Sequence, residues 1–337
     1  MPPAMSELRF NRVTGDWVVV ATDRSVPPEN FVRKAAPRES PSHVPDCPFC
    51  PGNESQNETV LAEPPGSNWE VRIVKSSFPA LQPECEHELS GGLMNRRLKG
   101  FGYHEVVVET PLHNKFIWER SAGELRALLN AMKARYLAIA EDERVALVVL
   151  YKNHGSGAGS FVEHPHCQIL ATPVVPNDVR RRSVDALRFF DENGQCMFCA
   201  MIQQELADEQ RIVHLTRNFV SFVPFAAVSP FHIWMMPLRH SPDFGWTMKG
   251  EIEDLAEHLR VLLRKISLGL NNPDFNFVIR SMVQRYSDLR SFHWYLSVVP
   301  RVSLPAGFEL GSGMFINATL PEKSAEFLRK VKVDPAG

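Results

Sequence analysis

At 337 residues the chain is longer than one average domain and predicts two domains, or one that is duplicated. A hydrophobic content of 44% against 23% charged residues excludes a disordered or low-complexity chain, and a net charge of −2 lacks the basic excess with which proteins gather nucleic acid. No apolar run approaches the ~18 residues of a membrane helix, and Met1 to Ser6 lack the basic-then-hydrophobic pattern of a leader, so the expected address is the cytoplasm, with no membrane or nucleic-acid partner.

In chain order, the first chemical signal is Cys47-Pro48-Phe49-Cys50. A β-branched run, Val106 to Val108, then leads to Pro111-Leu112-His113. Next comes a helix: Ser121 and Glu124 fit a capping box, and Leu125, Leu128, Leu129, Met132 and Tyr136 recur at helical spacing. A strand is predicted over Val145 to Tyr151, followed by a glycine-rich loop and by His164-Pro165-His166-Cys167-Gln168, also read as strand.

The same order then returns. Cys196-Met197-Phe198-Cys199 is followed by a hydrophobic segment from Phe231 to Met236 and by Pro237-Leu238-Arg239-His240. A helix is predicted from about Gly250 to Leu270, with an apolar stripe of Ile252, Leu255, Leu259, Leu262 and Ile266 and a stop at Asn271-Asn272-Pro273. Strands are predicted over Phe275 to Ser281 and from His293 onward.

The histidines His113 and His164 stand 51 residues apart, and His240 and His293 stand 53 apart. The distance from the second cysteine to the first histidine is 63 residues in one copy and 41 in the other, so the first copy carries an insertion, placed in the polar stretch Pro83 to Gly102. A lone Cys-x-x-Cys pair is as often a redox pair or an ordinary turn as a metal site. Four ligand types recurring in one order favour two tetrahedral zinc sites, Cys47, Cys50, His113, His164 and Cys196, Cys199, His240, His293, with His232 in reserve for His240.

On a strand, His164, His166 and Gln168 share one face and Cys167 the other. His164 is matched by His293 in the second copy, but His166 is matched by Tyr295, so metal binding needs only the first histidine. His166 is then a free imidazole suited to nucleophilic or base chemistry. Just upstream, Asn153-His154-Gly155-Ser156-Gly157-Ala158-Gly159-Ser160 offers a loop whose backbone amides can approach an anion such as phosphate; a plain connector is the competing reading.

At His164-Pro165-His166-Cys167-Gln168 the sequence resembles the histidine-triad superfamily, and specifically its transferase branch, in which glutamine replaces the third histidine. That branch includes the galactose-1-phosphate uridylyltransferases and the related ADP-glucose phosphorylases. The resemblance runs from Arg9 to Trp17, through Phe78-Pro79-Ala80, to Gly307 to Gly311. It implies an α+β fold of two histidine-triad-like domains, each an antiparallel sheet with packed helices, over residues 1–178 (catalytic) and 179–337 (zinc and sugar recognition). It also implies that His166 attacks the α-phosphorus of a nucleotide sugar, that Gln168, Asn153 and Arg24 contact phosphate, with Ser160 replacing the family's serine, that Phe78 packs on the base, and that Glu309 binds sugar hydroxyls. The zinc would be structural, and the chain a homodimer completing each site across its interface.

Certain positions depart from the uridylyltransferase pattern: Ser76, Pro27, Phe161, His293-Trp294-Tyr295 and Phe315. The C-terminal ones are more similar to the ADP-glucose phosphorylases. The expected function is nucleotidyl transfer from a nucleotide sugar to a sugar 1-phosphate, uridylyl transfer to galactose 1-phosphate leading and adenylyl transfer to inorganic phosphate the alternative. A nucleoside phosphoramidate or dinucleotide hydrolase is weakened by Gln168. A zinc-ribbon interaction module is weakened by the 149 residues separating the cysteine pairs, and a Cys167 hydrolase by the opposite facing of Cys167 and His166.

Overall fold

A computed structural model describes residues 6–21, 25–34, 40–86, 88–283 and 288–333. In chain order it contains β1 (Glu7–Asn11), β2 (Asp16–Val20), β3 (Thr59–Glu63), β4 (Val71–Lys75), β5 (Leu89–Ser90), β6 (Arg97–Leu98), β7 (Tyr103–Val108), α1 (Ala122–Ala140), β8 (Leu147–His154) and β9 (His166–Thr172). There follow α2 (Asn177–Asn193), α3 (Met197–Asp208), β10 (Ile212–Leu215), β11 (Phe219–Phe222), β12 (Ile233–Pro237), α4 (Lys249–Leu270), β13 (Phe275–Arg280), β14 (Tyr295–Pro300), α5 (Gly307–Ser312), β15 (Phe315–Asn317) and α6 (Pro321–Lys330). Among the described residues no helix is long and apolar enough to cross a membrane.

Ten strands form one antiparallel sheet in the order β10-β11-β12-β14-β13-β8-β9-β7-β4-β3. Read outward from its centre, the order repeats: β8-β9-β7-β4-β3 on one side and β13-β14-β12-β11-β10 on the other. The expected duplication is therefore visible in the topology. The two copies do not form separate sheets, because β8 and β13 pair directly, Tyr151 opposite Val278. The insertion carries the small β5–β6 ribbon. The N-terminal hairpin β1–β2 joins the C-terminal β15, which runs parallel to β2.

The helices α1 and α4 pack together on one face over the main core, which includes Leu125, Leu128, Met132, Leu255, Leu259 and Ile266. Helix α1 starts at the expected capping box: the Glu124 amide donates to Ser121 Oγ at 3.2 Å, and the Ser121 amide donates to Glu124 Oε2 at 2.8 Å. Helix α4 ends where Asn271 turns left-handed at φ 55, its amide bonded to the Ser267 carbonyl. On the other face α2 and α3 cover the second copy around Trp234, Phe222 and Tyr295, while Phe49, Trp69 and the cysteine loop cover part of the first.

Two strands begin later than the sequence suggests. His164 precedes β9 and His293 precedes β14. Pro165 has no amide to give a ladder, and the Trp294 amide is spent on the Ser241 carbonyl at 2.8 Å.

Candidate active site and metal-ligand clusters

The two Cys/His sets each close into a cluster whose ligand atoms lie within 4.8 Å of one another. In the first, Cys50 Sγ is 3.5 Å from His113 Nδ1 and 3.6 Å from His164 Nδ1, and Cys47 Sγ is 3.7 Å from His164 Nδ1. In the second, Cys199 Sγ is 3.3 Å from His240 Nδ1 and 3.6 Å from His293 Nδ1. Tetrahedral zinc with bonds of about 2.3 Å to sulfur and 2.0–2.1 Å to nitrogen separates S and N by roughly 3.5 Å. Both sets can therefore hold a metal ion, and their spacing suits zinc.

The far nitrogens support the same assignment. His164, His240 and His293 place Nε2 at 2.7, 2.9 and 2.9 Å from the carbonyls of Thr110, Leu289 and Pro237. A carbonyl only accepts, so each Nε2 carries the proton and each Nδ1 presents a lone pair to the cluster. His232 is not needed as a ligand; it lies elsewhere, bonded to Ser297 Oγ.

Beside the first cluster a cavity of about 190 Å³ is lined by His166, Asn153, Ser160, His164 and His113, together with Arg33, Lys152, His154 and Asp274. His166 is 6% exposed; its Nδ1 donates to the His164 carbonyl at 2.8 Å, which leaves Nε2 as the free nitrogen. Burial lowers its pKa from the ordinary histidine value. Lys152 anchors the same strand by donating to the His166 carbonyl at 3.2 Å and to Glu109. Burial alone would raise the Glu109 carboxyl, but the Lys152 charge and hydrogen bond outweigh it and hold it below its ordinary value. Cys167 faces away, as alternation requires, and donates to Glu109 Oε1.

Gln168 does not line the cavity itself, but its amide is oriented. His104 Nδ1 accepts from the Ala80 amide at 3.1 Å, so His104 Nε2 donates to Gln168 Oε1 at 2.9 Å; Tyr151 OH donates to the same oxygen at 2.9 Å. With its oxygen doubly bound, Gln168 keeps its NH₂ for a further acceptor. Burial pushes the Tyr151 phenol up, so it stays a donor.

The glycine loop is built differently from the expectation. The amides of Ala158 and Ser160 bond the Gly155 carbonyl, that of Gly159 bonds Ser156, and that of Gly157 donates to Asp274 Oδ2 at 2.7 Å. These four amides are spent within the frame and are not available as an anion cradle. The glycines serve close approach instead: Gly155 has φ 82, and a Cβ there would sit 2.1 Å from Asp274 Oδ1. Asn276 completes the brace, donating to Asn153 Oδ1 at 2.7 Å and to the Ala158 carbonyl at 2.9 Å, and Arg301 holds Asn276 at 2.6 Å.

Two predicted residues stand apart from this cavity. Phe78 is 91% exposed on the loop after β4, and Glu309 caps α5, accepting from the Ala306 amide at 2.8 Å. Arg24 lies outside the described residues. Sequence reasoning missed Arg33, His104, Tyr151, Lys152, Asp274 and Asn276. Lys152 and His154 flank Asn153 and could have been read with it, whereas Asp274 follows a segment read only as a helix stop.

Residues 3–176 match the galactose-1-phosphate uridyl transferase, N-terminal domain family. Across 97% of this chain and 93% of the relative, the sequence is 33% identical to ADP-glucose phosphorylase of Arabidopsis thaliana. The chain belongs to the galactose-1-phosphate uridyl transferase family. It is 24% identical to the galactose-1-phosphate uridylyltransferase of Thermotoga maritima over 98% of this chain and all of that one. The crystal structure of an Arabidopsis thaliana ADP-glucose phosphorylase with bound ADP-glucose is similar at TM-score 0.83 and 31% identity, covering 98% of this chain and 100% of that one. A uridylyltransferase structure is similar at TM-score 0.74 and 25% identity, covering 96% and 97%. The α+β architecture is thus that of the family, and the chain is an enzyme of nucleotidyl transfer or phosphorolysis.

Proposed function

We propose that this enzyme transfers an adenylyl group from an ADP-sugar to inorganic phosphate, as an ADP-glucose phosphorylase-type nucleotidyltransferase. The observation that carries the choice is 33% identity over 97% of the chain to a phosphorylase, against 24% to a uridylyltransferase of comparable coverage. This reverses the order of the sequence expectation, and uridylyl transfer to galactose 1-phosphate becomes the second reading.

In the first step His166 Nε2 forms a bond to the α-phosphorus while the bond to the bridging oxygen breaks, so sugar 1-phosphate leaves with the electron pair. The Nδ1 bond to the His164 carbonyl holds the ring through the charge change. In the second step a phosphate oxygen attacks the same phosphorus, the P–N bond breaks, and ADP leaves with His166 restored. Gln168 NH₂, Asn153 Nδ2, Ser160 Oγ and Arg24 are assigned to the phosphoryl oxygens. Residues 1–178 carry this chemistry and 179–337 support it. The two clusters hold structural zinc, since four protein ligands leave no open position. Phe78 and Glu309, outside their own chain's cavity, are assigned to the base and sugar of a second copy in a homodimer.

Incubation with a panel of nucleotide sugars, each with phosphate, galactose 1-phosphate or neither, tests the reading. ADP-glucose with phosphate should give ADP and glucose 1-phosphate fastest. Turnover confined to UDP-glucose with galactose 1-phosphate would reject it in favour of the second reading.

A further inference from the structure

We propose that the second copy holds a small oxyanion of the phosphate class between Arg182 of α2 and Arg280 of β13, at the place where the first copy has its catalytic cavity. The correspondence follows from strand register. Gln168 lies opposite Tyr151, and the same register carried two residues on sets Asn153 level with His166. In the second copy Arg280 lies opposite Tyr295. Arg280 thus takes the position of Asn153, Tyr295 that of His166 and Ser297 that of Gln168. The correspondence extends to a third strand. His104 bonds Gln168 in the first copy, and His232 Nε2 lies 2.8 Å from Ser297 Oγ in the second. A site that faces phosphate in one copy has changed its nucleophile to tyrosine and its asparagine to arginine in the other.

The cluster lacks its counter-charge. Arg182 and Arg280 line one cleft with Ser281, Tyr295, Val179 and Phe292, and its room of about 30 Å³ exceeds the ~10–15 Å³ that one water needs. Among the described residues no carboxylate pairs with either guanidinium, and Arg182 Nε is buried without a partner. Asp178, whose charge reaches Arg280, is three-quarters exposed and lies 3.9 Å from Arg181 instead. Burial and the neighbouring Arg182 lower the Arg280 pKa, the mark of like charges held together away from water.

His232 adds an independent orphan. The Trp234 indole can only donate, and it donates to His232 Nε2 at 3.1 Å, so the proton sits on Nδ1. That Nδ1 is buried and has no acceptor. Arg182, Arg280 and this N–H are one electrostatic group, since both arginine charges reach His232. Two cations and a buried donor without an acceptor are completed by an anion with several oxygens. The cleft admits inorganic phosphate or the terminal group of a phosphomonoester, and Tyr295 in place of His166 makes it a binding site without turnover.

The test uses the full-length protein in phosphate-free crystals soaked with tungstate, a heavy phosphate analogue, and separately with phosphate and with glucose 1-phosphate. An anomalous tungsten peak should lie within hydrogen-bond reach of both Arg182 and Arg280. Sugar density on the glucose 1-phosphate arm would identify a phosphomonoester as the source, and phosphate density alone the free ion. Arg280→Gln should lose this peak, weaken phosphate binding at this site at least about tenfold by calorimetry, and melt no lower than wild type in phosphate-free buffer because a like-charge contact is relieved. Absence of a peak in folded wild-type protein, or a carboxylate of a partner subunit seated on the pair, overturns the proposal. Failure of the nucleotidyl-transfer reading would appear separately, in turnover of nucleotide sugars.

Discussion

His164 Nε2 lies 2.7 Å from the carbonyl of Thr110, and the pair has a counterpart 129 residues later in His293 and Pro237 at 2.9 Å. In both copies the accepting carbonyl belongs to the residue three before the first histidine ligand, His113 or His240. The duplication therefore extends beyond the ligands to the backbone groups that aim them.

Two zinc ions per chain are expected, and each should stabilise folding. Elemental analysis should find two in wild type and one in either Cys50→Ser or Cys199→Ser, with a melting temperature lower by several degrees. Chelation should lower it further and restore it on zinc addition. One zinc in carefully purified wild-type protein would mean that one cluster is only a thiol–imidazole contact.

The brace on the glycine loop should matter to rate. Asn276→Ala removes the hydrogen bonds to Asn153 and Ala158 without touching His166. Misplacing Asn153 should lower kcat by about 10–100-fold with KM for the nucleotide sugar changed much less, because position at the phosphorus is lost more than ground-state binding. An unchanged kcat would assign Asn276 to the fold alone.

Acid stability should carry the signature of Glu124. Burial would raise this carboxyl, but hydrogen bonds from Lys115 and Ser121 bring it down to about 2, against about 4.3 for an unfolded glutamate. A depressed folded value means that the stabilisation is complete above the unfolded pKa and drains as pH falls from about 4.3 to 2. Urea unfolding should show Glu124→Gln less stable than wild type by about 1–2 kcal/mol at neutral pH, the gap closing toward pH 2. A gap independent of pH would remove Glu124 from this account.

Completion of the site by a second copy can be read from mixed dimers. His166→Ala and Glu309→Ala homodimers should each be impaired, while co-refolded mixtures should regain activity, because one of the two sites then pairs an intact His166 with an intact Glu309 from the other chain. No recovery on mixing would place Glu309 outside the site or in its own chain's cavity.

The ligand sets and the catalytic strand were legible because chemistry constrained both residue type and spacing: thiols two apart and imidazoles about fifty apart, twice over. The capping box at Ser121 was legible for the same reason. The shared sheet was not, since β8 meets β13 through backbone hydrogen bonds that leave no side-chain signature. His104 and Tyr151 escaped notice as lone polar residues on strands, and Asp274 and Asn276 because they reach the loop from more than 110 residues away. The glycines were read as an opening for an anion; the structure shows them instead making room for Asp274, which a chain without coordinates could not reveal.

The central claim is a covalent intermediate on His166. Wild-type enzyme mixed rapidly with ADP-glucose labelled at the α-phosphorus, without phosphate, should trap up to one acid-labile, base-stable label per site, discharged as ADP when phosphate is added. His166→Ala, folded and zinc-replete, should trap none. Label retained by His166→Ala, or product formed by wild type with no labelled protein at any time, would contradict the account.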